Sequence, residues 1–277
     1  MRLPIVILLL TLCSSLIAQS SAPQRAEWNQ PVKPFRIIGN IYYVGAANVS
    51  SFFIRTPDGA ILLDGGLPET APVIEKSIGE LGFSIKDVKF LLNSHAHFDH
   101  CGGLAELKKH SGAQMIASER DRPVLVSAQG GAAPFPAVQV DRVIGDKQTV
   151  QLGGVTLTAH LTPGHTKGCT TWSMPVTDGG KTYQVVFYCS TSVVDKLVNN
   201  SGYPGIVSDY MRSFAELRKM PCDVFLAPHA GFFKLDEKRR QLDAGKLDAF
   251  VDPAEMQKYV NESEQSFRKE LDEQLHQ

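Results

Sequence analysis

The sequence has few cysteines, no surplus of either charge and no second long apolar run. Its 277 residues carry 28 Lys and Arg against 29 Asp and Glu, without a basic stripe or block. Neither a nucleic acid nor an anionic membrane is therefore expected as a partner. None of the five cysteines forms a C-x-x-C pair, which argues against a zinc knuckle or a thioredoxin-type redox motif.

The motifs of two large enzyme classes are also missing. The chain contains no G-x-S-x-G nucleophile elbow and no G-x-x-x-x-G-K phosphate loop. Ser266 and Lys269 match S-x-x-K, but they lie on a predicted C-terminal amphipathic helix without the S-D-N or K-T-G elements that accompany this motif. We therefore treat the match as chance and expect neither a serine nucleophile nor nucleotide chemistry.

The one long apolar run lies at the amino terminus. Met1-Arg2 precedes an apolar stretch over residues 3–16, and Ala18 and Ser20 supply the small residues of a cleavage site. This order predicts a signal peptide over residues 1–20 and a periplasmic or secreted protein. Residues 21–277 can form a single domain, which we expect to be a monomer with no membrane contact.

Four cysteines remain after cleavage, and their pairing cannot be read from their spacing. They are Cys101, Cys169, Cys189 and Cys222.

Strand-like and helix-like patterns alternate along the chain. The predicted strands are residues 41–44, 51–54, 60–63, 88–92, 115–117, 149–152, 155–161, 170–175, 183–188 and 223–226. The predicted helices are residues 69–81, 102–110, 121–127, 210–219, 234–246 and 253–275. Two sets of strands flanked by helices predict an α/β fold, a four-layer αββα sandwich with both sheets inside.

The strongest chemical signal is a cluster of His residues. The segment Asn93-Ser94-His95-Ala96-His97-Phe98-Asp99-His100 follows the predicted strand 88–92 and contains three of the eight His. Positions i, i+2 and i+4 of an extended segment share one face, so His95, His97 and Asp99 can converge while His100 points elsewhere. Imidazole and carboxylate suit zinc, and catalytic zinc typically has three protein ligands and an open position. We prefer a metal site to a loop that is His-rich by accident.

Two more His follow predicted strands. His165 comes after strand 155–161 in a Pro-Gly turn, and His229 comes after strand 223–226. The six groups then divide into two triads, one of His95, His97 and His165, the other of Asp99, His100 and His229. Two zinc ions about 4 Å apart can hold a hydroxide between them and polarise a carbonyl. Two Zn²⁺ per chain are therefore expected.

Asp64 is a candidate supporting residue. It ends the predicted strand 60–63 and precedes Gly65-Gly66. We favour a hydrogen bond that orients a metal ligand or the ligand loop over a plain turn role.

These motifs resemble a known family. His95-Ala96-His97-Phe98-Asp99-His100, with Pro163-Gly164-His165-Thr166 and Pro228-His229, resembles the metallo-β-lactamase superfamily from about residue 34 to the C-terminus. Within it the chain is similar to the third subclass of class B β-lactamases. The segments that carry this similarity are Tyr42-Tyr43-Val44-Gly45, Leu62-Leu63-Asp64-Gly65-Gly66, Tyr203-Pro204 and Pro221-Cys222-Asp223-Val224.

The resemblance implies further residue roles. Ser190 and Ser192 are expected to contact the carboxylate of the substrate, directly or through water. A Cys ligand occurs near Cys189 in the first subclass, but His100 completes the second triad here, so Cys189 is not expected to bind zinc. Cys222 lacks the partner it often has in the subclass, because Glu255-Met256 stand there, and we expect it to be unpaired or bonded differently. Cys101 is expected to be a packed thiol.

The implied function is zinc-dependent hydrolysis of the β-lactam amide bond, giving antibiotic resistance. A hydroxide between the two metals would attack the lactam carbonyl, and Asp99 would also orient this hydroxide. An exported di-zinc lactonase or thioesterase on the same fold is one alternative. A zinc-loaded protein without catalytic activity is another.

Overall fold

A computed structural model describes residues 22–129 and 133–276, and in it two β-sheets lie between two layers of helices. The predicted signal peptide lies outside the described residues. Within the described residues, no helix is both long enough and apolar enough to cross a membrane.

The first sheet begins as an antiparallel meander and continues in parallel. Its strands, in spatial order, are β1 (Phe35–Ile38), β2 (Ile41–Tyr43), β3 (Phe52–Thr56), β4 (Gly59–Leu63), β5 (Val88–Leu92), β6 (Gln114–Ser118) and β7 (Arg142–Ile144). Neighbours from β1 to β4 are antiparallel, whereas β4 to β7 are parallel. The parallel strands need crossover connections, and each of the three contains at least one α-helix.

The second sheet is mostly antiparallel. Its strands are β8 (Thr149–Leu152), β9 (Val155–Leu161), β10 (Thr170–Asp178), β11 (Lys181–Phe187) and β12 (Val224–Leu226), in the spatial order β12-β11-β10-β9-β8. Only β11 and β12 pair in parallel.

The α-helices lie on the outer faces of the sheets, and the described chain begins and ends with a helix. They are α1 (Ala22–Trp28), α2 (Ala71–Glu80), α3 (Phe98–Cys101), α4 (Leu104–Ser111), α5 (Arg122–Ser127), α6 (Ile206–Leu217), α7 (Leu235–Asp243) and α8 (Glu255–Leu275).

The alternation of side chains along the central strands creates two apolar layers. In β4, Ala60 and Leu62 join a cluster with α2 and α4, while Ile61 and Leu63 join the cluster between the sheets. This second cluster continues through the second sheet to α6 and α8, where Phe214 packs against Phe267. The order helix, sheet, sheet, helix confirms the predicted four-layer αββα sandwich.

Strand direction brings the predicted site to one edge. β4 and β5 are parallel, so Asp64 and the His cluster leave the first sheet on the same side. β9 and β11 are both antiparallel to β10, and β12 is parallel to β11, so these three strands also share a direction. The loops that follow them carry His165, Ser190 and His229.

The predicted element bounds agree best for three strands, whereas the longest strand, β10, runs three residues past its predicted end. β5, β8 and β9 have the predicted limits, whereas β1, β7, α1 and α3 were not predicted. α3 matters for function, because the chain turns into a helix at Phe98. The prediction that His95, His97 and Asp99 share one face of an extended segment is therefore wrong from Phe98 onward.

Candidate metal centre

The loop after β5 presents its four ligand candidates on two kinds of backbone. His97 is extended, with φ −92° and ψ 153°, and directly precedes α3. His97 thus lies on extended chain, while Asp99 and His100 lie on the helical turn. This change of backbone sends the two pairs to different triads.

The first triad is compact. Ring centroids are 4.8 Å apart for His95 and His97, 4.6 Å for His95 and His165, and 4.7 Å for His97 and His165. One nitrogen of each ring lies within 4.8 Å of the others. Three imidazole nitrogens at this spacing form a donor set that suits zinc.

The second triad lies beside the first. Oδ2 of Asp99 is 3.3 Å from Nε2 of His100 and 3.4 Å from Nε2 of His229. The ring centroids of His95 and His100 are 4.3 Å apart, so the triads are neighbours. The structure brings together all six residues that the sequence singled out.

The protonation of the first triad fits a cation. The carbonyl of Ser192 can only accept, so Nδ1 of His165 donates to it over 2.7 Å, and Nε2 of a neutral His165 carries a lone pair. Burial, with His97 nearby, lowers the pKa of His165 to about 3, and burial lowers the pKa of His95 well below its usual range. Nε2 of His165 lies 3.2 Å from Nε2 of His95. A metal ion satisfies such facing lone pairs.

The second triad holds more charge. Burial raises the pKa of Asp99, but His100 and His229 outweigh it and hold that pKa well below the usual range. Burial lowers the pKa of His100, but Asp99 and then Asp64 outweigh it, and the net shift is upward. Burial, followed by the charge of His100, lowers the pKa of His229 to about 4. The carboxylate is therefore ionised and ready to bind a cation at neutral pH.

Ser192 has a role that the sequence did not reveal. Its backbone carbonyl accepts hydrogen bonds from His165 and from the hydroxyl of Tyr210, the latter over 2.8 Å. Because this carbonyl fixes the ring of His165, Nε2 points into the triad. The hydroxyl of Ser190 donates to the hydroxyl of Ser192 over 3.3 Å, and Ser190 is buried.

Asp64 supports the start of the ligand loop. Its Oδ1 accepts a hydrogen bond from the backbone N–H of Ser94 over 2.6 Å. The residue is buried with φ 64°, and burial raises its pKa to about 6 against the opposing effects of His100 and Ser94. The hydrogen bond fits the predicted orienting role better than a plain turn role.

Asp121 is a second support, and the sequence analysis missed it. Its Oδ2 accepts from Nδ2 of Asn93 over 2.8 Å, and the Asn93 carbonyl accepts from the indole of Trp172. Asn93 immediately precedes the ligand loop. No sequence signal marked Asp121, because its contacts are made across a tertiary interface.

The structure also answers the cysteine question. Cys169 and Cys189 form a disulfide, which joins the loop after His165 to the chain before Ser190. A bonded sulfur is no thiolate ligand, in agreement with the expectation that Cys189 does not bind zinc. Cys101 and Cys222 are free and buried, which confirms both predictions for them.

His229 is bordered by aromatic rings. Its ring centroid is 5.6 Å from Trp28 on α1 and 5.2 Å from Phe232. Because α1 was not predicted, Trp28 was not identified as a neighbour of the site. These rings restrict the imidazole and exclude water from one side of it.

Comparisons with known proteins agree with this geometry. The model of the Metallo-beta-lactamase superfamily matches residues 44–229. Among solved structures, BJP-1, a subclass B3 metallo-beta-lactamase of Bradyrhizobium japonicum, is 41% identical with a TM-score of 0.86, covering 90% of this chain and 97% of that one. The native FEZ-1 metallo-beta-lactamase from Legionella gormanii is 42% identical with a TM-score of 0.87, covering 89% and 98%.

Curated relatives match over a shorter segment. A hydroxyacylglutathione hydrolase from Methylobacterium sp. (strain 4-46) is 31% identical over 112 residues, which are 40% of this chain and 38% of that protein. The chain thus spans about two fifths of the length of this relative.

Proposed function

The chain belongs to the metallo-beta-lactamase superfamily, and we propose that it hydrolyses the β-lactam amide bond with two zinc ions per chain. The observation that carries the proposal is the pair of adjacent triads, in a chain about 40% identical to subclass B3 β-lactamases over nearly its full length.

The donor sets fit the implied metal. His95, His97 and His165 would hold one zinc ion, and Asp99, His100 and His229 would hold the other. When bound, zinc supplies Lewis acidity and lowers the pKa of water, which provides a nucleophile at neutral pH.

The residues of this chain prepare that chemistry. The Ser192 carbonyl keeps the His165 ring in one tautomer, with Nε2 free to bind. Asp99 is ionised at neutral pH, so its carboxylate can accept a hydrogen bond from an attacking water and orient it. The hydroxyls of Ser190 and Ser192 are proposed to contact the substrate carboxylate, and Asp64 to hold the ligand loop through Ser94.

The proposal extends to the setting of the enzyme. A signal peptide over residues 1–20 would export residues 21–277, which would act as one monomeric domain in the periplasm or outside the cell. The small-molecule substrate would be a β-lactam antibiotic, and its hydrolysis would confer resistance.

A lactonase or thioesterase is the second candidate. The match to a hydroxyacylglutathione hydrolase favours it. That match covers 40% of this chain. A zinc-loaded but inactive protein is the third candidate, and the same experiment tests it.

Hydrolysis of a substrate panel separates these functions. Purified protein with its zinc content measured is given a penicillin, a cephalosporin, a carbapenem, a homoserine lactone and a glutathione thioester, with and without EDTA. We expect EDTA-sensitive turnover of β-lactams, and a bound metal content of two zinc ions per chain. Turnover confined to the lactone or the thioester would refute the proposal, and no turnover at all would favour the inactive protein.

Variants of the triads test the ligand assignment. Replacing His97 or Asp99 with Ala is expected to lower turnover by orders of magnitude and to reduce the bound zinc. His160→Ala is the matched control, because His160 lies outside both triads, where its ring contacts Lys147 and Ser173. An unchanged rate in H97A or D99A would contradict the assignment.

A further inference from the structure

The cleft beside the first triad carries two cationic side chains. A cavity of about 380 Å³ is lined by His97 and His165 and also by Arg120 and Lys167. This volume lies in the range of pockets that bind drug-sized molecules. The cations therefore face the space from which a substrate would approach the triad.

Neither cation has a polar partner among the described residues. Within residues 22–129 and 133–276, no carboxylate lies within 4.0 Å of the Lys167 ammonium or the Arg120 guanidinium, and neither group forms a hydrogen bond. Arg25 is an arginine of the other kind, because its guanidinium donates two hydrogen bonds to Glu69. Two unpaired charges in one cavity leave all of their donors available to a ligand.

Lys167 is held at the cleft by its surroundings. It comes two residues after His165, and its ammonium lies 5.3 Å from the ring centroid of Tyr203. The hydroxyl of Tyr203 donates to Asp209 over 2.7 Å, so the ring is a fixed platform for the cation. The order imposed on Lys167 lowers the entropy cost of binding an anion.

Two carboxylates belong to the same surroundings. Asp121 also lines the cavity, but it is buried and one of its oxygens accepts a hydrogen bond from Asn93. Asp195 is exposed and lines the cavity. The carboxylate of Asp195 would repel a bound anion. The two exposed cations, Arg120 and Lys167, outnumber this one exposed carboxylate.

We propose that Arg120 and Lys167 form an anion-binding wall that takes the carboxylate of the β-lactam substrate. The inference rests on the proposed function and deepens it. Arg offers a planar pair of N–H donors to a carboxylate, and Lys adds a point charge. The wall supplies positive charge, which the hydroxyls of Ser190 and Ser192 lack, and these two serines do not line the cavity. It also favours anionic β-lactams over neutral lactones.

The test compares one cephalosporin as its free acid and as its neutral ester. For the zinc-loaded enzyme, the acid is expected to have the lower KM. Lys167→Gln should raise the KM of the acid about tenfold, with kcat within about twofold, because a charged hydrogen bond in a partly open cleft is lost. The KM of the ester should change by less than about twofold.

Matched variants separate charge from structure. Lys167→Arg should restore the KM of the acid, and Asp195→Asn should lower it by about twofold, since a repulsive charge is removed. Lys196→Gln removes the same charge from an exposed position that does not line the cavity, and it should leave both KM values unchanged. All variants are compared by thermal unfolding, so that a folding defect is recognised.

The outcomes distinguish the two proposals. One outcome is that the acid is hydrolysed, but the acid-to-ester KM ratio is the same in the Lys167→Gln, Arg120→Gln double variant as in the unmodified enzyme. This result overturns the anion-binding wall and leaves the β-lactamase function intact. Failure to hydrolyse either form overturns the proposed function and the wall with it. A ratio that collapses in the double variant and recovers with Lys167→Arg supports the wall.

Discussion

Reduction of the Cys169–Cys189 disulfide is expected to lower both stability and metal affinity. The bond closes a loop with a sequence separation of 20 residues. Loop-closure entropy then predicts a loss of about 3 kcal/mol in the free energy of unfolding. For a domain of this size, that loss corresponds to a melting temperature lower by about 6 to 12 °C.

The loss should also reach the first triad. The disulfide ties the chain after His165 to the chain before Ser192, whose carbonyl orients the His165 ring. When this tie is cut, the ring loses part of its support, so zinc should bind more weakly at the first triad. The double variant Cys169→Ala, Cys189→Ala should behave like the reduced protein.

Calorimetry with and without reductant measures the first effect, and competition with a chromophoric chelator measures the second. Cys222→Ser is the control, since Cys222 is buried and free and closes no loop. The reasoning is refuted if the oxidised and reduced proteins melt at the same temperature, or if thiol titration of the denatured oxidised protein finds Cys169 and Cys189 as free thiols.

Three further changes test the supports of the site. Asp64→Ala leaves the Ser94 N–H without its acceptor and should weaken zinc binding about tenfold, as measured by chelator competition. Asp64→Asn keeps an oxygen at this place and should lose less zinc affinity. A zinc affinity in D64A equal to that of the unmodified protein would contradict the orienting role. Gly168→Ala would place a Cβ 2.1 Å from Oδ1 of Asp121, so denaturant unfolding should show a free energy of unfolding lower by about 1 to 3 kcal/mol. Gly79 in α2 has open space around it, so Gly79→Ala should raise the free energy of unfolding by about 0.5 to 1 kcal/mol. On acidification, a zinc titration should show the second triad losing metal first. The pKa of His100 is raised, so a proton competes with zinc there at a higher pH, whereas the pKa of His165 is lowered to about 3. Loss of zinc from the first triad first would contradict this order.

The candidate ligands could be found from the sequence because each lies close to the end of a regular strand. His95 and His97 follow β5, and His165 and His229 follow β9 and β12. Apolar patterns reveal such strands, and parallel directions bring their ends to one edge. The four-layer fold follows from the same alternation of strands and helices.

The division of the ligands between two triads was predicted from the sequence, but periodicity does not reveal the change of backbone that accompanies it. Asp99 and His100 reach His229 because the chain turns into α3 at Phe98. A four-residue helix has no repeating apolar pattern, so the extended interpretation could not be corrected from the sequence.

The sequence alone determined which residues are candidate metal ligands and the order of the elements that carry them, since both follow from local spacing and hydrophobic period. Only the tertiary structure decided the Cys169–Cys189 pair, the Ser192 carbonyl as the acceptor for His165, and the unpaired cations of the cleft. These features are contacts between segments far apart in the chain. Their partners are chosen by how the two sheets and their loops pack, and no local pattern encodes that choice.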